Sequence, residues 1–227
     1  MTQKKFVCLS HWINEKTPSY GNKGGFVRKS LSSIKSGSSA NSEQWTLNNH
    51  IGTHIDFPFH FDDNGKVSSD FEDPFIIFEN VMVLEMKNRV KPNHIIDVQD
   101  IKALIKETDL DAEILLLKTH FEELRKNDIY WENNPGYDYQ IADFLRKRFP
   151  SIKAFGMDTI SLTSLKNREM GKRAHQAFLV SKHPILIIED MKLDEINSDT
   201  NYGKMILTQF PIEKTDGTPV NCILNIK

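Results

Sequence analysis

Eleven consecutive residues constrain this chain more than any others: His50-Ile51-Gly52-Thr53-His54-Ile55-Asp56-Phe57-Pro58-Phe59-His60. The even positions are His, Gly, His, Asp, Pro and His, and the odd positions are all apolar or β-branched. That is a period of two. In an extended chain alternate side chains point to opposite faces, so one face carries the polar set and the other packs into a core. At ~3.3 Å per residue a straight strand would hold His50 and His60 roughly 33 Å apart, too far to share one ligand, so the segment must bend. Gly52 tolerates the backbone angles of a bend. Pro58 restricts itself and Phe57, which rules out a long helix carrying His50 and His54. His54 and Asp56 are then neighbours on one face, with His50 returned to them by the turn at Gly52.

Two imidazoles and a carboxylate suit a borderline divalent ion such as Zn²⁺ or Mn²⁺, and three protein ligands leave a position for water. Such an ion lowers the pKa of bound water to about 7. His60 lies beyond Pro58 and is placed for proton transfer rather than ligation, so it is the candidate catalytic base. Polar alternation of this kind is usually a solvated edge strand. Here three of the chain's eight histidines fall in phase with an Asp, a Gly and a Pro that each have a geometric role, which favours the metal.

Strand-like runs occur at Phe6 to Leu9, Val81 to Leu84, Ile114 to Leu117, Ile185 to Ile188 and Ile223-Leu224. Between them, Ile95, Val98, Ile101, Leu104 and Ile105 recur at helical spacing after Pro92, and Ile141, Phe144 and Leu145 do so before Pro150. The alternation predicts an α/β or α+β fold on a mixed sheet. At 227 residues the chain is expected to form a single domain over 1–227. Ser30 to Ser42, with seven serines and no period, is expected to be a loop through which substrate could enter. Asp194 to Asn201 is expected to be a turn, and Asp216-Gly217 the hairpin turn between the last two strands.

With 29 basic and 31 acidic residues the formal charge is −2, giving no basic excess to recruit nucleic acid. No run approaches the ~18 to 20 apolar residues of a membrane span, and Met1 to Lys5 leads into no secretory h-region, so a cytoplasmic location is expected. Cys8 and Cys222 form no disulfide framework and are expected to be reduced and buried.

The central segment is similar to the signature of the metal-dependent cyclase family that includes bacterial kynurenine formamidase and isatin hydrolase, His-x-Gly-Thr-His-x-Asp-x-Pro-x-His. Every specified position is matched. Looser similarity extends to Leu9-Ser10 with Thr17-Pro18, to Gly156-x-Asp158-x-x-Ser161, and to Ala174-His175 with an acidic residue after Ile185 to Ile188. The resemblance implies a swivelling β/β/α fold and assembly as a homodimer or homotetramer with partner residues near the site. It implies that His50, His54 and Asp56 bind a first metal, that Asp56 bridges to a second completed by His175 and Glu189, and that His60 is the acid/base. The fourteen-residue step from His175 to Glu189 is longer than the family pattern, with an insertion around Ser181-Lys182-His183. Another departure is Thr119-His120, where relatives often carry a small residue.

Asp158 and Ser161 have a simpler alternative, in which Asp158 caps a following helix. Trp12, Tyr20, Phe26, Phe57 and Phe61 are candidates for an apolar pocket or for ordinary core. His11, His94 and His183 are expected at the surface or in structural roles. The leading functional expectation is hydrolysis of an amide or ester, with N-formyl aryl amines and cyclic amides the substrate classes implied by the resemblance. Metal-assisted cyclisation or dehydration is the alternative, and a metal-binding protein without turnover ranks last because no cysteine lies near the motif.

Overall fold

The computed structural model describes residues 5–71, 73–106 and 111–227. Its strands are β1 (Phe6–Cys8), β2 (Phe26–Ser32), β3 (Ser42–Leu47), β4 (His54–Asp56), β5 (Phe75–Phe78), β6 (Val81–Glu85), β7 (Ile95–Ile96), β8 (Ile114–Lys118), β9 (Gly136–Tyr137), β10 (Ala154–Met157), β11 (Leu186–Glu189), β12 (Tyr202–Gln209) and β13 (Gly217–Ile226). The α-helices are α1 (Val98–Lys102), α2 (Ile129–Glu132), α3 (Gln140–Arg148) and α4 (Arg168–Leu179).

Among the described residues nine strands join in one sheet, in the order β5-β12-β13-β4-β11-β10-β8-β6, with β1 added to β13. β6, β8, β10 and β11 are parallel, whereas β4, β13, β12, β5 and β1 are paired antiparallel. The α/β mixed sheet expected from the sequence is therefore present. β8 reads Ile-Leu-Leu-Leu-Lys and is buried throughout, as a parallel strand covered on both faces should be. Leu115 and Leu117 join Phe155 and Ile187 against Ile141 and Leu145 of α3 and Ala174 and Phe178 of α4. Ile114 and Leu116 face the other way, into a second cluster with Leu9, Phe78, Met205, Cys222 and Leu224. The antiparallel strands thus curl over the face of the sheet opposite the helices.

Several local expectations change. Ile95-Ile96 pairs with Gly136-Tyr137 instead of opening a helix, and the helix that follows is confined to Val98–Lys102. Asp97 stops it from starting earlier, because its side chain caps the N–H groups of Gln99 and Asp100. The serine-rich stretch is not simply a loop: Ser30 and Ser32 end β2, Ser42 opens β3, and the two strands form a separate antiparallel hairpin. Cys222 is buried as expected, but Cys8 is exposed; both are free thiols. β12 and β13 do pair, but residues 210–216 connect them, so Asp216-Gly217 is the entrance to β13 rather than the turn itself.

Candidate metal centre

β4 is short and central. It lies between β11 and β13, with His54 opposite Glu189 and Asp56 opposite Gly217, while Ile55 between them is fully buried in the core. The period-two reading thus holds over these three residues, and strand pairing brings Glu189 to His54. On either side the extended backbone ends. Gly52 adopts φ +62°, a left-handed conformation suited to glycine, and turns His50 back toward Asp56. After β4, Pro58 opens a 3₁₀ turn, Pro58–His60, so His60 does not continue along a strand. Its ring centre lies 4.1 Å from that of His50.

His54 Nδ1 donates to the Gly52 carbonyl at 2.8 Å, and His175 Nδ1, on α4, donates to the Gly171 carbonyl at 2.9 Å. Each ring is left with Nε2 as its free nitrogen. His54 Nε2 is 3.5 Å from both Asp56 Oδ1 and Glu189 Oε2, and His175 Nε2 is 3.7 Å from Asp56 Oδ2 and 3.4 Å from Glu189 Oε1. These separations exceed good hydrogen bonds and match the ~3.4 Å between two ligand atoms on one tetrahedral ion at about 2.1 Å from each. Candidate ligand atoms form two groups, His50/Asp56/His60 and His54/Asp56/Glu189, which share Asp56. Asp56 Oδ2 is buried with no hydrogen-bond partner, a costly state that a cation would relieve. The donors present therefore fit a divalent ion, and Asp56 is in position to serve two.

Glu189 is oriented from behind: its Oε1 accepts from Ser161 Oγ at 3.1 Å and from the Leu162 N–H at 2.7 Å. Ser161 thus contributes to the site by holding Glu189. Asp158 does not cap a helix; its carboxylate accepts from the Thr119 N–H and hydroxyl. Burial alone would lower the pKa of His50, but the Asp56 and Asp216 carboxylates outweigh it and raise it to about 10. The same contest, burial against Glu189 and Asp56, ends with His54 and His175 raised. A cation entering here must displace protons, so its affinity should rise with pH.

The cluster forms one wall of a cavity of about 250 Å³ whose other sides are Pro18, Tyr20, Phe61 and Ile160. Of the five aromatic residues considered for a pocket, Tyr20 and Phe61 line it; Phe57 is core, Phe26 packs against Trp45 on the hairpin, and Trp12 is 91% exposed. His94 and His183 are exposed and His11 is partly buried beside Glu122, in keeping with the surface or structural roles expected of them. His120 contacts the Met86 carbonyl and Glu85 and does not line the cavity. Sequence reasoning missed Asp216, whose Oδ2 lies 3.0 Å from His50 Nε2 and 2.8 Å from His60 Nδ1. Its only sequence signal, the Asp-Gly pair, is the ordinary signature of a turn.

Residues 7–164 match the family model described as "Putative cyclase". The chain belongs to the cyclase family. A relative, the kynurenine formamidase of Bacillus anthracis, is 30% identical over 232 residues, covering 99% of this chain and 99% of that protein. Among solved structures, isatin hydrolase A from Labrenzia aggregata bound to benzyl benzoate superposes with TM-score 0.76 at 18% identity, over 97% of this chain and 93% of that one. A "predicted metal-dependent hydrolase" from Bacillus stearothermophilus gives TM-score 0.66 at 20% identity, over 97% of both chains. Both solved structures thus share this architecture along nearly the whole chain.

Proposed function

We propose that this cyclase-family chain is a metal-dependent hydrolase of a C–N bond outside peptides, acting on an N-formyl aryl amine or a cyclic amide. Zn²⁺ or Mn²⁺, as one or two ions, would be held by His50, His54, Asp56, His175 and Glu189. The observation that carries the reading is the buried Asp56 Oδ2, which accepts no hydrogen bond where both histidine and carboxylate clusters meet at the floor of the cavity. The names of the relatives, a formamidase and isatin hydrolases, support the substrate class.

A divalent ion, when bound, polarises a carbonyl and makes water nucleophilic near neutral pH. The chain's own groups supply the rest. Phe61, Tyr20 and Ile160 offer apolar walls to an aryl group and limit water around it. With Nδ1 beside Asp216, His60 has Nε2 available to take a proton from the attacking water and return it to the leaving nitrogen. Turnover of a formyl anilide or isatin-like lactam in H₂¹⁸O should place one labelled oxygen in the acid product. An unlabelled product would favour cyclisation or dehydration, and no turnover of formyl amides, lactams or lactones by the metal-loaded protein would remove the hydrolase reading.

Assembly as a homodimer or homotetramer is part of the same proposal. The β2–β3 hairpin supports it, because Val27, Leu31, Trp45 and Leu47 are exposed on an arm outside the main sheet. A monomer at micromolar concentration would contradict it. Among the described residues no helix is long and apolar enough to cross a membrane, and the two free thiols suit the proposed cytoplasmic location.

A further inference from the structure

Asp216 lies outside the central motif, yet its carboxylate touches both the histidine assigned to the metal and the one assigned to proton transfer. Oδ2 faces His50 Nε2 at 3.0 Å and His60 Nδ1 at 2.8 Å, while Oδ1 accepts from Asn49 Nδ2 at 2.6 Å. Its backbone is fixed as well. The Asp216 carbonyl accepts from the Phe57 N–H at 2.9 Å, and the next residue, Gly217, is in register with Asp56. The carboxylate is therefore anchored independently of the two imidazoles it meets.

A neutral imidazole has one protonated nitrogen and one lone pair, and the partner of one nitrogen decides which is which. An ionised carboxylate only accepts. At His60 it requires Nδ1–H, leaving the lone pair on Nε2. At His50 the ring lies between two carboxylates, Asp216 Oδ2 at 3.0 Å from Nε2 and Asp56 Oδ1 at 2.8 Å from Nδ1, so there Asp216 fixes the orientation of the ring. We propose that Asp216 is a positioning residue that sets the tautomer of His60, presenting its Nε2 to the substrate, and holds the His50 ring against Asp56. This rests on the hydrolytic reading, through the roles given there to His50 and His60.

The alternative is a purely structural role, holding the 210–216 connection against β4. Asp216→Asn separates the two, since asparagine keeps the shape and can still hydrogen-bond while losing the demand for a donor on each ring. In the Zn²⁺-loaded protein, ¹⁵N-histidine NMR should show His60 as the Nδ1–H tautomer, with that preference lost in Asp216→Asn. The variant should lose about 10- to 100-fold in kcat on a formyl anilide or in Zn²⁺ affinity, the range for removing a ligand's supporting partner. KM should change by no more than about twofold, because substrate binding is not what Asp216 orders. In a His60→Ala background the same substitution should cost kcat no more than about twofold, since residues acting through one another are not additive.

Wild-type kcat and Zn²⁺ affinity in Asp216→Asn, an equal loss of kcat in both backgrounds, or an Nε2–H tautomer at His60 in the unaltered protein would each overturn the proposal. Full activity in His60→Ala would overturn the hydrolytic role of His60 instead, leaving the tautomer measurement to decide Asp216.

Discussion

At the residue scale, His54 and His175 each commit Nδ1 to a backbone carbonyl, so their Nε2 atoms are held toward the carboxylates without help from a bound ion. His60 is tied differently, to a side chain, and its role should separate from metal retention. His60→Ala is expected to keep its metal and melting temperature while losing on the order of 10²- to 10⁴-fold in kcat and kcat/KM together, the range for a positioned acid/base. Metal analysis beside steady-state kinetics checks this; a variant lacking metal would make His60 a ligand. Away from the site, burial raises Glu122 to about 8 and lowers His11 to about 4. A carboxyl with a raised folded-state pKa favours the protonated form, so its burden on stability is absent below the unfolded value of 4.5 and grows as pH rises through about 8. Glu122→Gln should therefore melt increasingly above the unaltered protein between pH 5 and 9. A constant difference across that range would show that Glu122 does not titrate as its burial implies. His54, Asp56 and the Gly52 bend were legible because their signal is local. Asp216 was not, since its partners lie 166 and 156 positions away in the chain.

At the scale of elements, β4 works because its two antiparallel neighbours differ in what they contribute. β11 supplies Glu189, and β13 supplies room. A Cβ at Gly217 would lie 2.4 Å from His50 Cε1 and 2.9 Å from the Ile55 carbonyl oxygen, so only glycine lets β13 pass His50 this closely. Gly217→Ala is expected to displace His50 and weaken metal binding by about tenfold or more while the sheet stays folded, comparable to losing a ligand's support. Metal titration followed by circular dichroism checks it; unchanged affinity would mean that His50 needs no such space. The serine-rich hairpin was unreadable for a related reason. β3 is exposed at every position, so no buried face impresses a period of two on it. The short strand at Ile95-Ile96 was hidden by the opposite effect, Ile95 falling in phase with Val98 and Ile101 of the helix that follows.

For the whole molecule, the α/β class could be read because parallel strands covered on both faces leave continuous apolar runs such as Ile114 to Leu117. The curling of the antiparallel strands over the second core could not, because which strands meet is decided by pairings between distant parts of the chain, such as β1 with β13. That closure is what sets β4 between β11 and β13 and so gathers His50, His54, His175 and Glu189 around one carboxylate. In the proposed function this carboxylate, Asp56, is the hub of a divalent metal centre. The most direct test is the metal-to-protein ratio, measured by elemental analysis after dialysis, for the unaltered protein and for Asp56→Asn. Stoichiometric divalent metal is expected in the first and near-complete loss, together with loss of formamide hydrolysis, in the second; an Asp56→Asn protein that keeps the full stoichiometry would contradict that role.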